Sequence, residues 1–145
     1  MALIEVQDVS KLYGFGDATT LALDEASLKI EKGECVAVMG PSGCGKSTLM
    51  NIIGLLDRPS HGNYKFDGKP VAQLRPNQSA KIRRDSIGFI FQNFNFLPRL
   101  TTLENVALPL VYKGMSVSRR IKQASQMLER VGVQNREYFL PGQLS

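Results

Sequence analysis

The stretch GPSGCGKST, residues 40–48, constrains this chain more than any other segment. It fits the spacing G-x-x-x-x-G-K-[ST] through Gly40, Gly45, Lys46 and Ser47. Glycines at this spacing let backbone N–H groups turn inward around phosphate oxygens without Cβ clashes. Pro41, Ser42, Gly43, Cys44 and Thr48 complete the loop. An apolar run, CVAVMG, precedes it, and a segment with helical spacing follows. A helix starting near Lys46 points its positive end at the same phosphates. The Lys46 ammonium is long enough to reach β- and γ-phosphates, and the Ser47 hydroxyl can ligate Mg²⁺. A plain glycine turn is the competing explanation, and the strand–loop–helix context weighs against it.

The chain has 145 residues, 43% of them apolar, which suits one domain with a real core. A net charge of +5 is compatible with an anionic ligand, nucleic acid or an acidic membrane surface. Cys35 and Cys44 form no disulfide framework, and with His61 as the one histidine a zinc site is not expected. No apolar run is long enough to cross a bilayer, so direct membrane insertion is not expected. The first residues lack the pattern of a signal peptide.

Alternation in ALIEVQDVSKLY and in LALDEASLKI predicts two half-buried strands joined by a Gly-rich turn. CVAVMG and SIGFIFQ read as strands buried on both faces of a parallel sheet. Between them, Leu49, Ile52, Ile53 and Leu56 share a helical face, NYKFDGKPV reads as one further strand, and RPNQSAKIRRD as a short polar helix with Pro76 near its start. Beyond Gln92 the pattern becomes helical. Thr101 or Thr102 can cap LENVALPLVY, with Pro109 shortening or kinking it. Ser116 or Ser118 can cap a helix whose Val117, Ile121, Ala124, Leu128 and Val131 share a face, with Gly132 beyond its end.

Small kinases usually carry this loop close to the N-terminus, and GTPases need an N-K-x-D element that is absent. Asp85 and Gly88 match D-x-x-G, but Asp85 precedes an apolar run and does not follow one. LALDE and IIGLLD end in acids, yet Asp24 lies before the loop and Asp57 in the helix leaving it. Neither serves as a Walker B strand.

At these points the sequence resembles the nucleotide-binding domain of ABC transporters. The resemblance covers essentially the whole chain, through SKLYG, GPSGCGKSTLMNIIGLLDRPSHG, IGFIFQNFNFLPRLTTLENVALPL and the final QLS. It implies an α/β P-loop NTPase of ABC type, with an antiparallel β subdomain, a partial parallel core sheet and a helical subdomain. The β and P-loop core is expected over about 1–92 and the Q-loop with its helical arm over about 93–145. QLS is similar to the start of the signature L-S-G-G-Q, which implies a C-terminally incomplete domain whose Walker B strand and catalytic glutamate would follow Ser145. By the same resemblance Tyr13 stacks on adenine, and Gln92 is the Q-loop glutamine that ligates Mg²⁺ and approaches the attacking water. The expected ligands are ATP and Mg²⁺. The expected partners are membrane permease subunits and a second ATP-binding domain closing over the nucleotide. The expected location is cytoplasmic, on the inner face of the membrane.

Within the family the sequence is most similar to lipoprotein-releasing and macrolide-export ATPases, with cell-division ATPases alike at the same points. DNA-repair and chromosome-organising ATPases share the fold, but they carry long coiled coils or zinc insertions between the Q-loop and the signature. The short 92–144 segment has neither. Phe94, Phe96, Leu97 and Leu100 are read either as a satellite core or as a groove for a permease helix. The basic clusters Lys81, Arg83, Arg84 and Arg119, Arg120, Lys122 are read as solvated faces, with no nucleic-acid partner expected.

Overall fold

The alternating stretches at the start of the chain pair with each other. In the computed structural model, which describes residues 2–16, 18–92 and 95–144, strand β1 (Ala2–Tyr13) lies between β2 (Thr20–Glu31) and β3 (His61–Phe66). A two-residue strand β4 (Lys69–Pro70) completes an antiparallel sheet of order β2-β1-β3-β4. Val6 stands opposite Leu28 on one side and Tyr64 on the other. Val6 and Val9 are both buried although three residues apart. Strict alternation would put them on opposite faces. A bulge at Asp8, whose φ is 50°, inserts the extra residue that restores the phase.

NYKFDGKPV is a hairpin and not one strand. Asp67 and Gly68, with φ of 48° and 71°, make the two-residue turn between β3 and β4. Both central residues have positive φ, the geometry that matches the twist of the flanking strands.

Helix α1 (Lys46–Ile53) is shorter than the apolar periodicity suggests. The Leu55 and Leu56 N–H groups bond back to the Ile52 and Asn51 carbonyls, ending the helix with a left-handed residue at Leu55 (φ 56°). Leu55 is consequently buried with Leu49 and Ile52, while Leu56 is exposed. A left-handed leucine costs about 1–2 kcal/mol. Burial of its side chain, worth about 1.5–3 kcal/mol, offsets that. The Arg83 guanidinium donates to the Leu55 carbonyl at 2.6 Å and fixes the turn. Arg83 is thus structural, not part of a solvated face. Polar helix α2 (Pro76–Ser86) begins at its proline as expected.

The chain divides within α2 into two compact units, Met1–Arg83 and Arg84–Ser145. The second is built on α3 (Thr102–Tyr112) and α4 (Val117–Arg130). Thr101 caps α3 with a reciprocal box to Glu104, and the helix continues through Pro109. Phe139 and Glu137 carbonyls accept the Thr102 and Leu103 N–H groups, satisfying two further donors of that end. Leu103 and Ala107 pack on Ala124 and Leu128, with Val106, Ile121 and Val133 around them. Val117 and Val131, expected on this face, are exposed, and Val133 takes the end position. Ser116 is the N-cap residue of α4, and Gly132 leaves its end with φ 74°.

The two runs read as doubly buried strands are not strands here. Residues 34–40 and 87–91 carry no regular secondary structure, and Val36, Met39, Ile90 and Phe91 are exposed. Cys35 is likewise exposed. A strand exists only through its ladder, and among the described residues these runs have no strand beside them. The Phe89 and Phe91 rings stack on each other at 5.8 Å. Phe94 and Ser145 lie outside the described residues.

Candidate phosphate-loop site

Strand β2 and helix α1 position the loop between them. Gly45 is the residue preceding α1 and has φ 89°. A Cβ at Gly45 would stand 2.7 Å from the Ala22 carbonyl of β2. Conformation and close approach both require glycine there, and they seat the helix start against the sheet. The Lys46 ammonium folds back over the loop. It donates to the Gly40 carbonyl at 2.7 Å and the Pro41 carbonyl at 2.5 Å, and reaches Cys44 Sγ at 3.5 Å. The loop therefore gathers a cation and the first N–H groups of an eight-residue helix at one place. Ser42, Gly43, Cys44 and Ser47 are exposed on it, while Thr48 is half-buried. That donor set suits an anion with several oxygens, such as a polyphosphate. Ser47 supplies a hydroxyl of the kind a phosphate-bound Mg²⁺ takes. Among the described residues there is no cluster of three or more His, Cys, Asp or Glu that could hold a metal by itself.

Tyr13 stands at the end of β1, 42% exposed. Its hydroxyl donates to Asp57 Oδ2 at 2.7 Å. Lys11, two residues earlier on β1, donates to Asp57 Oδ1 at 2.6 Å and to the Arg58 carbonyl at 2.7 Å. Its ammonium lies 4.8 Å from the centroid of the Tyr13 ring. The Arg58 N–H donates to the same carboxylate. Asp57 is thus in the turn beyond α1, not in the helix. Burial opposes its ionisation, but bonds from Lys11, Tyr13 and the Arg58 N–H outweigh that and hold the carboxyl below its usual range. The bond to Asp57 pushes the Tyr13 hydroxyl upward. Burial and the carboxylate charge add to this, and the Thr48 side chain partly offsets it. The Tyr13 ring is therefore tied through its hydroxyl to Asp57, in the turn beyond α1.

Sequence reading did not find Lys11, nor the role of Asp57. Lys11 and Asp57 are 46 residues apart, and no local pattern announces the pair. Gln92 is an exposed residue of the second unit, in a bend after the 87–91 run. Phe96 and Leu97 are exposed and Leu100 is half-buried. Asn105 holds this segment, accepting from the Leu97 N–H and donating to the Leu97, Leu100 and Thr101 carbonyls. None of the three lines the groove of about 470 Å³ between α3 and α4, which is formed by residues such as Val106, Pro109, Leu110, Ala124 and Met127.

Residues 23–145 match the ABC transporter family. The chain belongs to this family. Among its ABC relatives, the macrolide export ATP-binding/permease protein MacB of Hyphomonas neptunium is 48% identical over 143 residues, covering 99% of this chain and 22% of that protein. The ABC transporter ATP-binding protein YknY of Bacillus subtilis is 44% identical over 143 residues, 62% of its own length. The chain thus spans less than two thirds of these relatives. The ATP-binding cassette MJ0796, solved as a dimer in a post-hydrolysis state with ADP and Pi, matches with a TM-score of 0.88 and 43% identity, over 98% of this chain and 63% of that one. The ABC-type P-loop fold read from the sequence is therefore the fold of this chain, with its antiparallel β and helical parts. No helix among the described residues is long and apolar enough to cross a membrane.

Proposed function

We propose that this chain binds Mg·ATP through residues 40–48 as part of the ATP-driven engine of an export system. The observation that carries this reading is the loop geometry: Gly45 pinned against β2, Lys46 gathered over the loop mouth, and the α1 N-terminus behind it. Backbone N–H groups from Ser42 to Thr48 wrap the phosphates. Lys46 turns its ammonium to the β- and γ-phosphates and Ser47 gives its hydroxyl to Mg²⁺. Mg²⁺, when bound, would supply neutralisation of the phosphate charge. Gln92 would give its side-chain oxygen to that ion and serve the attacking water. Tyr13 carries the adenine.

In the whole protein, water attacks the γ-phosphate while Lys46 stabilises the developing charge. A second such domain closes over the nucleotide, as the dimeric cassette supports. Conformational work passes to permease subunits, for which the ATP-binding/permease name of the macrolide exporters is the support. The domain then works at the inner face of the cytoplasmic membrane. The segmentation into a β and P-loop core over about 1–92 and a Q-loop with helical arm over about 93–145 belongs to the same proposal.

Titration calorimetry of Mg·ATP into the chain and into Lys46→Ala tests the reading. Loss of the charge-assisted contacts weakens binding at least about tenfold. Equal affinity in the two would refute it.

A further inference from the structure

We propose that Asp57 is a positioning residue for the nucleobase platform. It orients the Tyr13 ring by accepting from its hydroxyl and by anchoring Lys11 against one ring face. The inference rests on the proposed role of Tyr13 and deepens it. The geometry is specific. One carboxylate receives the tyrosine hydroxyl on Oδ2 and the lysine on Oδ1, at 2.7 and 2.6 Å. The lysine is 12% exposed at its side chain and lies over the ring at 4.8 Å. Its remaining bond, to the Arg58 carbonyl, fixes the ammonium on the same turn. A phenol ring on a strand end has two free torsions. Held at its hydroxyl and covered on one side by a cation, it keeps one orientation, and the opposite face is the one left for a base.

The turn that carries Asp57 is itself fixed. It follows the left-handed Leu55 directly, and Ser60 docks on β1 through the Ser10 carbonyl and the Leu12 N–H. The platform is thereby set relative to α1, whose first residue is Lys46. Phosphate loop and base platform are registered to each other through one short helix. Stacking needs a ring in place before the ligand arrives, because ordering it on binding would consume the gain.

The test compares two ligands, Mg·ATP and Mg·tripolyphosphate, the second having no base. In the unsubstituted chain ATP binds tighter by about fivefold or more. Tyr13→Ala removes that preference. Asp57→Ala removes it as well and leaves tripolyphosphate affinity unchanged. Asp57→Asn, which still accepts from the hydroxyl but no longer pairs Lys11, gives an intermediate preference. Tyr13→Phe keeps the ring and the Lys11–Asp57 pair and deletes only the hydroxyl bond, so it loses preference even if Asp57→Ala folds poorly. If Tyr13→Ala loses the preference while Tyr13→Phe and Asp57→Ala keep it, the positioning role is overturned and the base platform stands. If Tyr13→Ala keeps the preference, the platform reading fails and the proposal with it.

Discussion

Tyr64 joins the sheet to the loop helix with a single atom. Its ring is 1% exposed, and its hydroxyl donates to the Ile53 carbonyl at 2.7 Å, the last residue of α1. Burial pushes this hydroxyl far above the ordinary phenol range. The neutral form is the one that folds. Its contribution is fully present below the unfolded value of about 10 and is lost as pH rises above that toward the folded value. Tyr64→Phe should therefore cost about 1 kcal/mol at neutral pH and flatten the loss of stability on the alkaline side. Urea unfolding at neutral pH and above pH 10 checks both; an unchanged alkaline slope would assign the loss to other groups. At this scale the sequence was legible where spacing carries meaning. Gly40, Gly45, Lys46 and Ser47 announce themselves because a phosphate loop is local. The bonds from Tyr64 to Ile53 and from Lys11 to Asp57 are not legible, because they join residues that only the fold brings together.

Among the elements, helix α3 has the most complete start signal. Thr101 accepts from the Glu104 N–H and Glu104 accepts from the Thr101 N–H. The Thr101 N–H, and after it the Thr101 hydroxyl, donate to Glu104 Oε2 and hold that carboxyl below its usual range. Stability from it is present above the unfolded value and lost as pH falls through the lowered folded one. Thr101→Ala should cost about 1 kcal/mol and bring earlier exchange of the α3 amides. Hydrogen exchange measures this directly, and unchanged protection of Asn105 and Val106 would contradict it. Caps and breakers made α2, α3 and α4 readable. The Asp67-Gly68 dipeptide was an equally local signal for a hairpin, hidden inside a run read as one strand. Residues 34–40 and 87–91 failed as strands for a different reason. Val, Ile and Phe in a row signal a demand for burial, whereas a strand requires a neighbour to pair with. The end of α1 misled periodicity because Leu55 takes the left-handed position that a glycine usually fills. That places Leu55, and not Leu56, in the core.

For the whole molecule, the distribution of roles follows the two units. The first holds loop, ring and the turn at Asp57. The second holds Gln92, the α3–α4 core and the apolar groove. The resemblance to ABC cassettes made the fold legible in advance, because its motifs are spread along the whole chain; the division at Arg83–Arg84 falls earlier than the boundary near Gln92 expected from the sequence. The register of the sheet was beyond it, since the bulge at Asp8 leaves no mark in the alternation of β1. The central claim is that residues 40–48 form the phosphate site, and amide hydrogen exchange with and without Mg·ATP tests it most directly. Saturating nucleotide should slow exchange across residues 40–48 and the first turn of α1 while leaving the Ala124–Leu128 side of α4 unchanged. Unaltered exchange at residues 40–48, with or without changes elsewhere, would contradict the claim.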